Sequence, residues 1–70
     1  MKRKREFHVI IERDEDGFYV ADIPELKGCH TQAKSLDTLM KRIEEAALLS
    51  LEEEQTIRPI EFIGLQKIAV

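Results

Sequence analysis

The stretch DGFYVADIPELKGCHTQ, residues 16–32, decides the fold of this chain. Its Asp16-Gly17 pair is typical of a tight turn, because glycine adopts a positive φ at little steric cost. Residues 18–23 are rich in aromatic and β-branched side chains and predict a strand. Pro24 lacks a backbone N–H and ends that strand, and Gly28 permits a second turn. A short third strand over residues 29–33 is then expected.

The residues before this stretch predict a strand that folds back on it. Apolar and polar side chains alternate over residues 7–12 with the period of a strand. With residues 14–17 as the loop, Arg13 is expected opposite Phe18, and Ile11 opposite Val20. One face then carries Phe7, Val9, Ile11, Phe18 and Val20, and the other carries His8, Ile10, Glu12, Tyr19, Ala21 and Ile23. A register shifted by one residue would mix these two sets.

The spacing of apolar residues becomes helical from Leu36 onward. Ser35 is a good N-cap for this helix, and Asp37 suits the positive end of its dipole. One stripe of the helix carries Leu36, Leu39, Met40, Ile43, Ala46, Ala47 and Leu51. Leu48 and Leu49 lie outside the stripe, which indicates contacts with a partner.

The rest of the chain predicts one further strand. Acidic residues 52–54 oppose the negative end of the helix dipole, so the helix is expected to end there, and Pro59 excludes further helix. Residues 60–70 return to strand composition, with a bulge expected around Gly64. The predicted fold is therefore α+β, a small antiparallel sheet with one helix packed on one face, in the order βββαβ.

One helix covers only one face of such a sheet. The other face is predicted to expose Ile10, Tyr19, Ala21 and Ile23, and an apolar patch of this kind marks an interface. Self-association as a homodimer or homotetramer is expected through this face, or through the last strand as an exposed edge.

Length and composition set further limits. The 70 residues contain no internal repeat and predict one domain over residues 1–70, with a small core. The single cysteine, Cys29, cannot form an intramolecular disulfide and suits a reducing, cytoplasmic setting. No apolar run has the length of a membrane span, and no signal-peptide core is present. The net charge of −3 does not favour wholesale nucleic-acid binding, although residues 1–5 form a basic amino-terminal arm.

No group of residues predicts catalysis, a metal site or a cofactor. The carboxylates nearest the sheet are Glu12, Asp14, Asp16 and Asp22. Two lie in a turn and two on opposite faces, so they do not converge on metal ions as nuclease chemistry requires. Cys29 and His30 look like a nucleophile with its base, but adjacent strand residues point to opposite faces. We interpret Cys29 as a small buried hydrophobe.

Two segments carry a resemblance to a known family. The run FHVIIERDEDGFYVADIPELKGCHTQ, residues 7–32, is followed after a short spacer by SLDTLMKRIEEAALLSLE, residues 35–52. In this order they resemble the HicB-like antitoxin family in its short, single-domain, UPF0150-type form. The matching positions are Glu12, Asp14, Glu15, Gly17, Phe18, Val20, Ile23, Pro24, Glu25, Leu26, Gly28, Cys29, Thr31, Leu36, Ile43, Glu45 and Ala46. Ala33 stands where the family often has glycine, and Leu39-Met40 where it often has Glu-Ala, changes that leave the fold intact.

The resemblance implies a partial ribonuclease-H-like fold that lacks ribonuclease catalysis. It also implies an antitoxin of a type II toxin–antitoxin system, one that binds and masks a small, basic, mRNA-cleaving toxin of the HicA type. Family members commonly carry a carboxyl-terminal DNA-binding segment. That segment is not expected here, because the sequence stops after the predicted fourth strand, so autorepression is not expected either.

Two charged groups are candidates for binding a partner. We expect the acidic residues Glu45, Glu52 and Glu53 to complement a basic toxin, beside Leu48 and Leu49. The alternative function is a small nucleic-acid-binding regulator whose arm contacts phosphates through Lys2, Arg3, Lys4 and Arg5. Each group also has a simpler interpretation, as a solvated helix end or a solvated terminus. An RNA-processing enzyme is disfavoured, since the carboxylates do not cluster, and the sequence therefore predicts a non-enzymatic interaction module.

Overall fold

The computed structural model describes residues 5–53 and 57–70. The elements in it are β1 (Ile10–Arg13), β2 (Tyr19–Asp22), β3 (His30–Ala33) and α1 (Leu36–Leu51). β2 lies in the middle of the sheet and pairs antiparallel with both neighbours. α1 packs on one face, against β3 and β2. The predicted α+β class is confirmed, and the order of elements in the described residues is βββα.

The register of the β1–β2 hairpin differs by one residue from the predicted register. Ile11 pairs with Ala21 rather than with Val20. A slip of one residue exchanges the two faces of a strand, so the side chains of β2 lie on the opposite face from the one predicted. The predicted register was therefore wrong.

Asp14 sets this register. Its Oδ1 accepts hydrogen bonds from the backbone N–H groups of Asp16, at 3.0 Å, and Phe18, at 2.9 Å. The Asp14 N–H donates to the Phe18 carbonyl at 2.9 Å, which closes a three-residue loop over residues 15–17. Gly17 has a φ of +87°, the left-handed conformation that such loops use at their last position. The turn is thus present where it was predicted, but Phe18 closes the loop instead of pairing with Arg13.

The connection between β2 and β3 folds a leucine into the core. The Ile23 N–H donates to the Cys29 carbonyl at 3.0 Å, and the Leu26 N–H donates to the Ile23 carbonyl at 3.1 Å. The Cys29 N–H in turn donates to the Leu26 carbonyl at 3.2 Å. Gly28, at a φ of +72°, reverses the chain as its sequence position predicts. Leu26 is held over the end of the sheet and is almost fully buried.

The helix begins where the sequence predicts it. The Ser35 Oγ accepts a hydrogen bond from the Thr38 N–H at 3.2 Å, which satisfies one of the free N–H groups of the first turn. Asp37 adds the expected negative charge to that turn. The Arg42 Nη1 donates to the Gln32 carbonyl of β3 at 2.8 Å, so α1 is tied to that strand.

The core lies between α1 and the sheet. Its buried members are Ala21, Ile23, Leu26, Cys29, Ala33, Leu39 and Ile43, with Phe7, Val9, Tyr19, Ala46, Ala47 and Leu51 packed around them. Most of the buried side chains are small or of medium size, so the apolar area that stabilises the fold is limited.

The predicted fourth strand is not formed. We call residues 60–70 the arm, which is distinct from the basic amino-terminal arm of residues 1–5. Just before it, Ile57 makes a single antiparallel bridge with Leu26, and the Arg58 N–H donates to the Glu25 carbonyl at 2.9 Å. Within the described chain the arm pairs with no strand. A strand needs a neighbour to satisfy its backbone N–H and C=O groups, and residues 5–53 and 57–59 give the arm none.

Candidate protein-interaction surface

Two leucines near the end of α1 are exposed to solvent. Leu48 is 67% and Leu49 is 66% exposed, as their position outside the apolar stripe predicts. Successive residues of a helix are about 100° apart around its axis, so the two leucines lie on different sides of the solvent-exposed surface of α1. Leu48 lies on the side of Phe7, with which it lines a groove. Leu49 lies two turns beyond Arg42, on the side that is bound to β3.

Acidic side chains lie between and beyond these leucines. Glu45 and Glu52 are seven residues apart, on one line of the helix between the two leucines, and Glu53 follows; all three are exposed. The last turn of α1, which is fully described, contains no basic residue. Carboxylates at this end face the negative end of the helix dipole, which is unfavourable in the isolated chain. Basic groups of a partner would relieve this repulsion. We call Glu45, Leu48, Leu49, Glu52 and Glu53 the acidic–leucine surface.

The sheet face away from α1 differs from the predicted one. Ala21 and Ile23 were expected to be exposed there, but the corrected register turns them toward α1, where they are almost fully buried. Tyr19 lies on the same side and packs against the core. Ile10, paired with Asp22, remains on the open face and is half-buried. Of the four predicted residues, only Ile10 keeps an open-face position, and its contact with a partner stays a prediction.

A groove between residues 5–7, which precede β1, and α1 was not predicted from the sequence. Its volume is about 590 Å³, and it is lined by Arg5, Phe7, Glu44, Ala47, Leu48 and Leu51. α1 packs against β3 and β2 and makes no contact with β1, so the apolar side of β1 and of the segment before it is partly uncovered. Ile11, on that side, is 44% exposed. The sequence did contain a signal, since Phe7 and Val9 belong to one apolar line, and they line this groove and the hollow that adjoins it.

The predicted basic amino-terminal arm, residues 1–5, lies mostly outside the described residues. Lys2, Arg3 and Lys4 fall there, so their predicted contact with phosphates stays a prediction. Arg5 is exposed at the edge of the groove, which Glu44 also lines.

A second cluster joins three segments that are distant in sequence. The His8 Nδ1 lies 2.8 Å from Glu25 Oε2, and the His8 N–H donates to both carboxylate oxygens, at 3.2 and 3.3 Å. The His8 ring stacks on Phe62, with ring centroids 4.2 Å apart and an interplanar angle of 22°. This cluster fixes the beginning of the arm against the segment that leads into β1. Spacing in the sequence gave no signal for it, because no period relates these positions.

The Glu25 carboxylate is the centre of this cluster. Partial burial raises its pKa, and the hydrogen bonds and charge of His8 lower it by more, so the net result is a pKa below the ordinary value of 4.5. Glu25 is therefore an anion at neutral pH, and it helps to hold the turn after β2 to the chain before β1.

The residues considered for catalysis do not form a reactive group. Cys29 is buried in the core, whereas its neighbour His30 is exposed on β3. Asp14 is occupied by the backbone N–H groups of its own loop. Across residues 5–53 and 57–70, no three His, Cys, Asp or Glu side chains are placed to hold a metal ion. Among the described residues, no helix has the length and apolar character needed to cross a membrane.

Comparison with known proteins identifies a family and relatives that match most of the chain. A family model described as the HicB-like antitoxin of bacterial toxin–antitoxin systems matches residues 7–64. A UPF0150 protein of Archaeoglobus fulgidus is 55% identical over 64 residues, which are 91% of this chain and 93% of that protein. A UPF0150 protein of Synechocystis is 49% identical over 67 residues, 96% of this chain and 97% of that protein. The matched region includes the hairpin, the core and α1.

Proposed function

The chain belongs to the HicB-like antitoxin family of bacterial toxin–antitoxin systems, and from this membership we propose that it binds and masks a small, basic, mRNA-cleaving toxin of the HicA type. The protein acts without catalysis of its own. The family match over residues 7–64 is the observation that carries the proposal.

The acidic–leucine surface supports this role. It combines two exposed leucines with three carboxylates, two of which, Glu52 and Glu53, follow the helix end that the dipole disfavours. Leucine side chains supply apolar contact area, and the carboxylates attract a basic partner and raise its association rate. A toxin that must bind RNA carries positive charge on its working surface. The same charges that hold RNA would then hold the antitoxin.

Inhibition in this proposal is by occlusion. The acidic–leucine surface covers the RNA-binding or catalytic surface of the toxin, and RNA is excluded while the complex lasts. The setting is the cytoplasm, where mRNA is found. Self-association as a homodimer or homotetramer would present two or more such surfaces, which raises the effective affinity for a multivalent toxin assembly.

The test uses the small basic protein encoded by the reading frame next to this one. Co-expression of this chain is expected to relieve the growth arrest that the neighbouring protein causes, and the two purified proteins are expected to form a stable complex. Failure of this chain to relieve the arrest would remove the proposed function.

Reversing the charge of two carboxylates tests whether the acidic–leucine surface is the binding site. Glu45→Lys with Glu52→Lys should slow association with the toxin about tenfold and reduce the dependence of the association rate on salt. The matched control is Glu15→Lys with Asp16→Lys, which makes the same change in net charge at the exposed hairpin loop. If both double variants slow association equally, net charge explains the effect and the acidic–leucine surface is not the binding site.

A further inference from the structure

The arm is attached to the folded body near its beginning. Just before the arm, the Arg58 N–H donates to the Glu25 carbonyl at 2.9 Å. Within the arm, the Phe62 ring lies face to face with the His8 ring, with centroids 4.2 Å apart and an interplanar angle of 22°. Phe62 is half-buried, whereas the other residues of the arm are exposed. Phe62 therefore makes the main contact between the arm and the body.

The two points of attachment share one residue. Glu25 accepts the Arg58 N–H at its backbone carbonyl, and its carboxylate binds both the backbone N–H and the ring of His8. His8 in turn carries Phe62, which follows Arg58 by four residues. The contacts thus form a closed circuit from Arg58 through Glu25 and His8 to Phe62. In such a circuit each contact restricts the freedom of the others, so a change at His8 is felt by the arm.

His8 is the member of this circuit that changes charge near neutral pH. A carboxylate only accepts hydrogen bonds, so the His8 Nδ1, 2.8 Å from Glu25 Oε2, carries a proton. The proton that His8 gains and loses is therefore the one on Nε2. The hydrogen bond from Nδ1 persists in both forms, and the charge on the ring is what changes. A charged ring is attracted more strongly by the Glu25 anion and by the π face of Phe62 than a neutral ring is.

The charges around His8 leave Glu25 as its principal partner. Within residues 5–53 and 57–70, Glu25 is the charged side chain that is bonded to His8. The other charged side chains close to this contact in sequence or across the sheet are all exposed: Glu6, Asp22, Lys27, Arg58 and Glu61. Exposed charges are screened by water and salt. The His8 side chain is itself 56% exposed, so the effect of its charge is modest.

We propose that His8 is a pH-dependent clasp for the arm, which holds Phe62 when the His8 ring is charged and releases it when the ring is neutral. The backbone bond at Arg58 involves no titrating group and remains in both states. Release of Phe62 therefore frees residues 60–70 without detaching the chain before them, and it changes where the exposed side chains of Ile63 and Leu65 lie relative to the body. The clasp acts within one chain and does not depend on the antitoxin role, so each proposal can fail without the other.

The clasp is expected to respond to pH in two ranges. As pH rises through the range in which histidine loses its proton, centred on about 6.5, the ratio of attached to detached arm should fall about threefold, since the ring charge is lost. Glu25 has a pKa below its ordinary value of 4.5 because His8 binds it. As pH falls through that lower value, the carboxylate is protonated and the ring loses its anionic partner. Attachment is therefore greatest between the two ranges.

Nuclear magnetic resonance of the uniformly labelled protein follows the clasp directly. The ring signals of Phe62 and the backbone amides of residues 63–70 are recorded from about pH 4 to about pH 8.5, across both ranges. Above about pH 6.5 the amides of the arm should become more mobile on the nanosecond timescale, in step with the titration of the His8 ring. Phe62 signals and arm mobility that stay constant while His8 titrates would overturn the proposal.

The two histidines of the chain provide a matched pair of variants. His8 and His30 are both exposed, and His30 lies on β3. His8→Asn retains the backbone bonds to Glu25 but has no ring and no titrating charge, so the arm should be mobile at every pH. His30→Asn should keep the full response of the unaltered protein. A response that survives in His8→Asn, or one that disappears in His30→Asn, contradicts the assignment to His8.

Glu25→Gln separates the charge of the carboxylate from the stacking of the rings. This variant keeps His8 and Phe62, and backbone chemical shifts of β2 and α1 report whether its fold is intact. The change below pH 4.5 should be absent, and the change above about pH 6.5 should be smaller than in the unaltered protein. An alkaline change as large as that of the unaltered protein would show that the carboxylate is not part of the clasp.

Discussion

Glu25 links the turn after β2 to the chain that leads into β1. Its carboxylate accepts two backbone bonds and one side-chain contact from His8, and His8 in turn supports Phe62. The hydrogen bonds stabilise the charged form of Glu25, which is why its pKa is lowered in the folded state. One residue thus contributes to the position of both the hairpin and the arm.

The lowered pKa of Glu25 makes part of the stability depend on pH. Above the ordinary value of 4.5, Glu25 is charged in both states and its folded contacts contribute fully. As pH falls through the folded pKa, the carboxylate is protonated in the folded protein and the contribution is lost. Because His8 is more than half exposed, we expect Glu25→Gln to cost only about 1 kcal/mol at pH 7.

Urea unfolding at a series of pH values measures this effect. The unaltered protein and Glu25→Gln should differ at pH 7 and should converge as the pH falls below 4.5. Glu15→Gln, at the exposed tip of the hairpin, serves as the control and should follow the unaltered protein throughout. A constant difference between the unaltered protein and Glu25→Gln at every pH would contradict the assigned role of the charge.

At the scale of elements, the hairpin depends on the left-handed residue of its loop. A Cβ at Gly17 would meet nothing within 4 Å, so the cost of Gly17→Ala comes from the backbone alone. At a φ of +87°, we expect a loss of about 1–2 kcal/mol in the free energy of unfolding.

Gly64→Ala is the matched control for the hairpin prediction. This glycine also has open space around it, and its φ is not in the left-handed region. Its substitution should change the free energy of unfolding by less than about 0.5 kcal/mol. Chemical denaturation measures both variants. Equal effects of the two substitutions would show that backbone conformation at Gly17 is not the cause.

The elements also show how far the sequence could predict this fold. The helix, its Ser35 cap, both glycine turns and the α+β class all follow from local patterns, because capping, periodicity and turn chemistry act over a few residues. The register could not be read in this way. It depends on whether Phe18 closes the loop or begins the strand, and the hydrogen bonds of Asp14 decide that.

The error in register carried over to the candidate site. It placed Ala21 and Ile23 on the open face, whereas they are core residues. Leu48 and Leu49 were placed correctly as exposed because their identification needed only helical spacing. The arm has strand composition, as predicted, but pairing is a property of two segments, and the composition of one segment cannot supply its neighbour.

For the whole molecule, the predicted self-association would make stability depend on concentration. Folding coupled to association is favoured at higher protein concentration by mass action. For a chain of this size we expect the melting temperature to rise by about 3–5 °C for each tenfold increase in concentration. Differential scanning calorimetry over a hundredfold range, roughly, would measure the slope. A melting temperature of the unaltered protein that does not depend on concentration would contradict the coupling.

The burial of Cys29 has a practical consequence of another kind. Its thiol lies at the centre of the core with almost no exposed surface, so a reagent in solution reaches it only when the core opens. The rate of thiol labelling therefore reports how often the core of the native protein opens, and no cysteine has to be introduced for the measurement. A ligand that binds only the folded chain lowers the logarithm of this labelling rate in proportion to the free energy of stabilisation that it adds. The labelling rate of Cys29 can therefore be used to compare how much binding of a second copy and binding of a toxin each stabilise the folded chain.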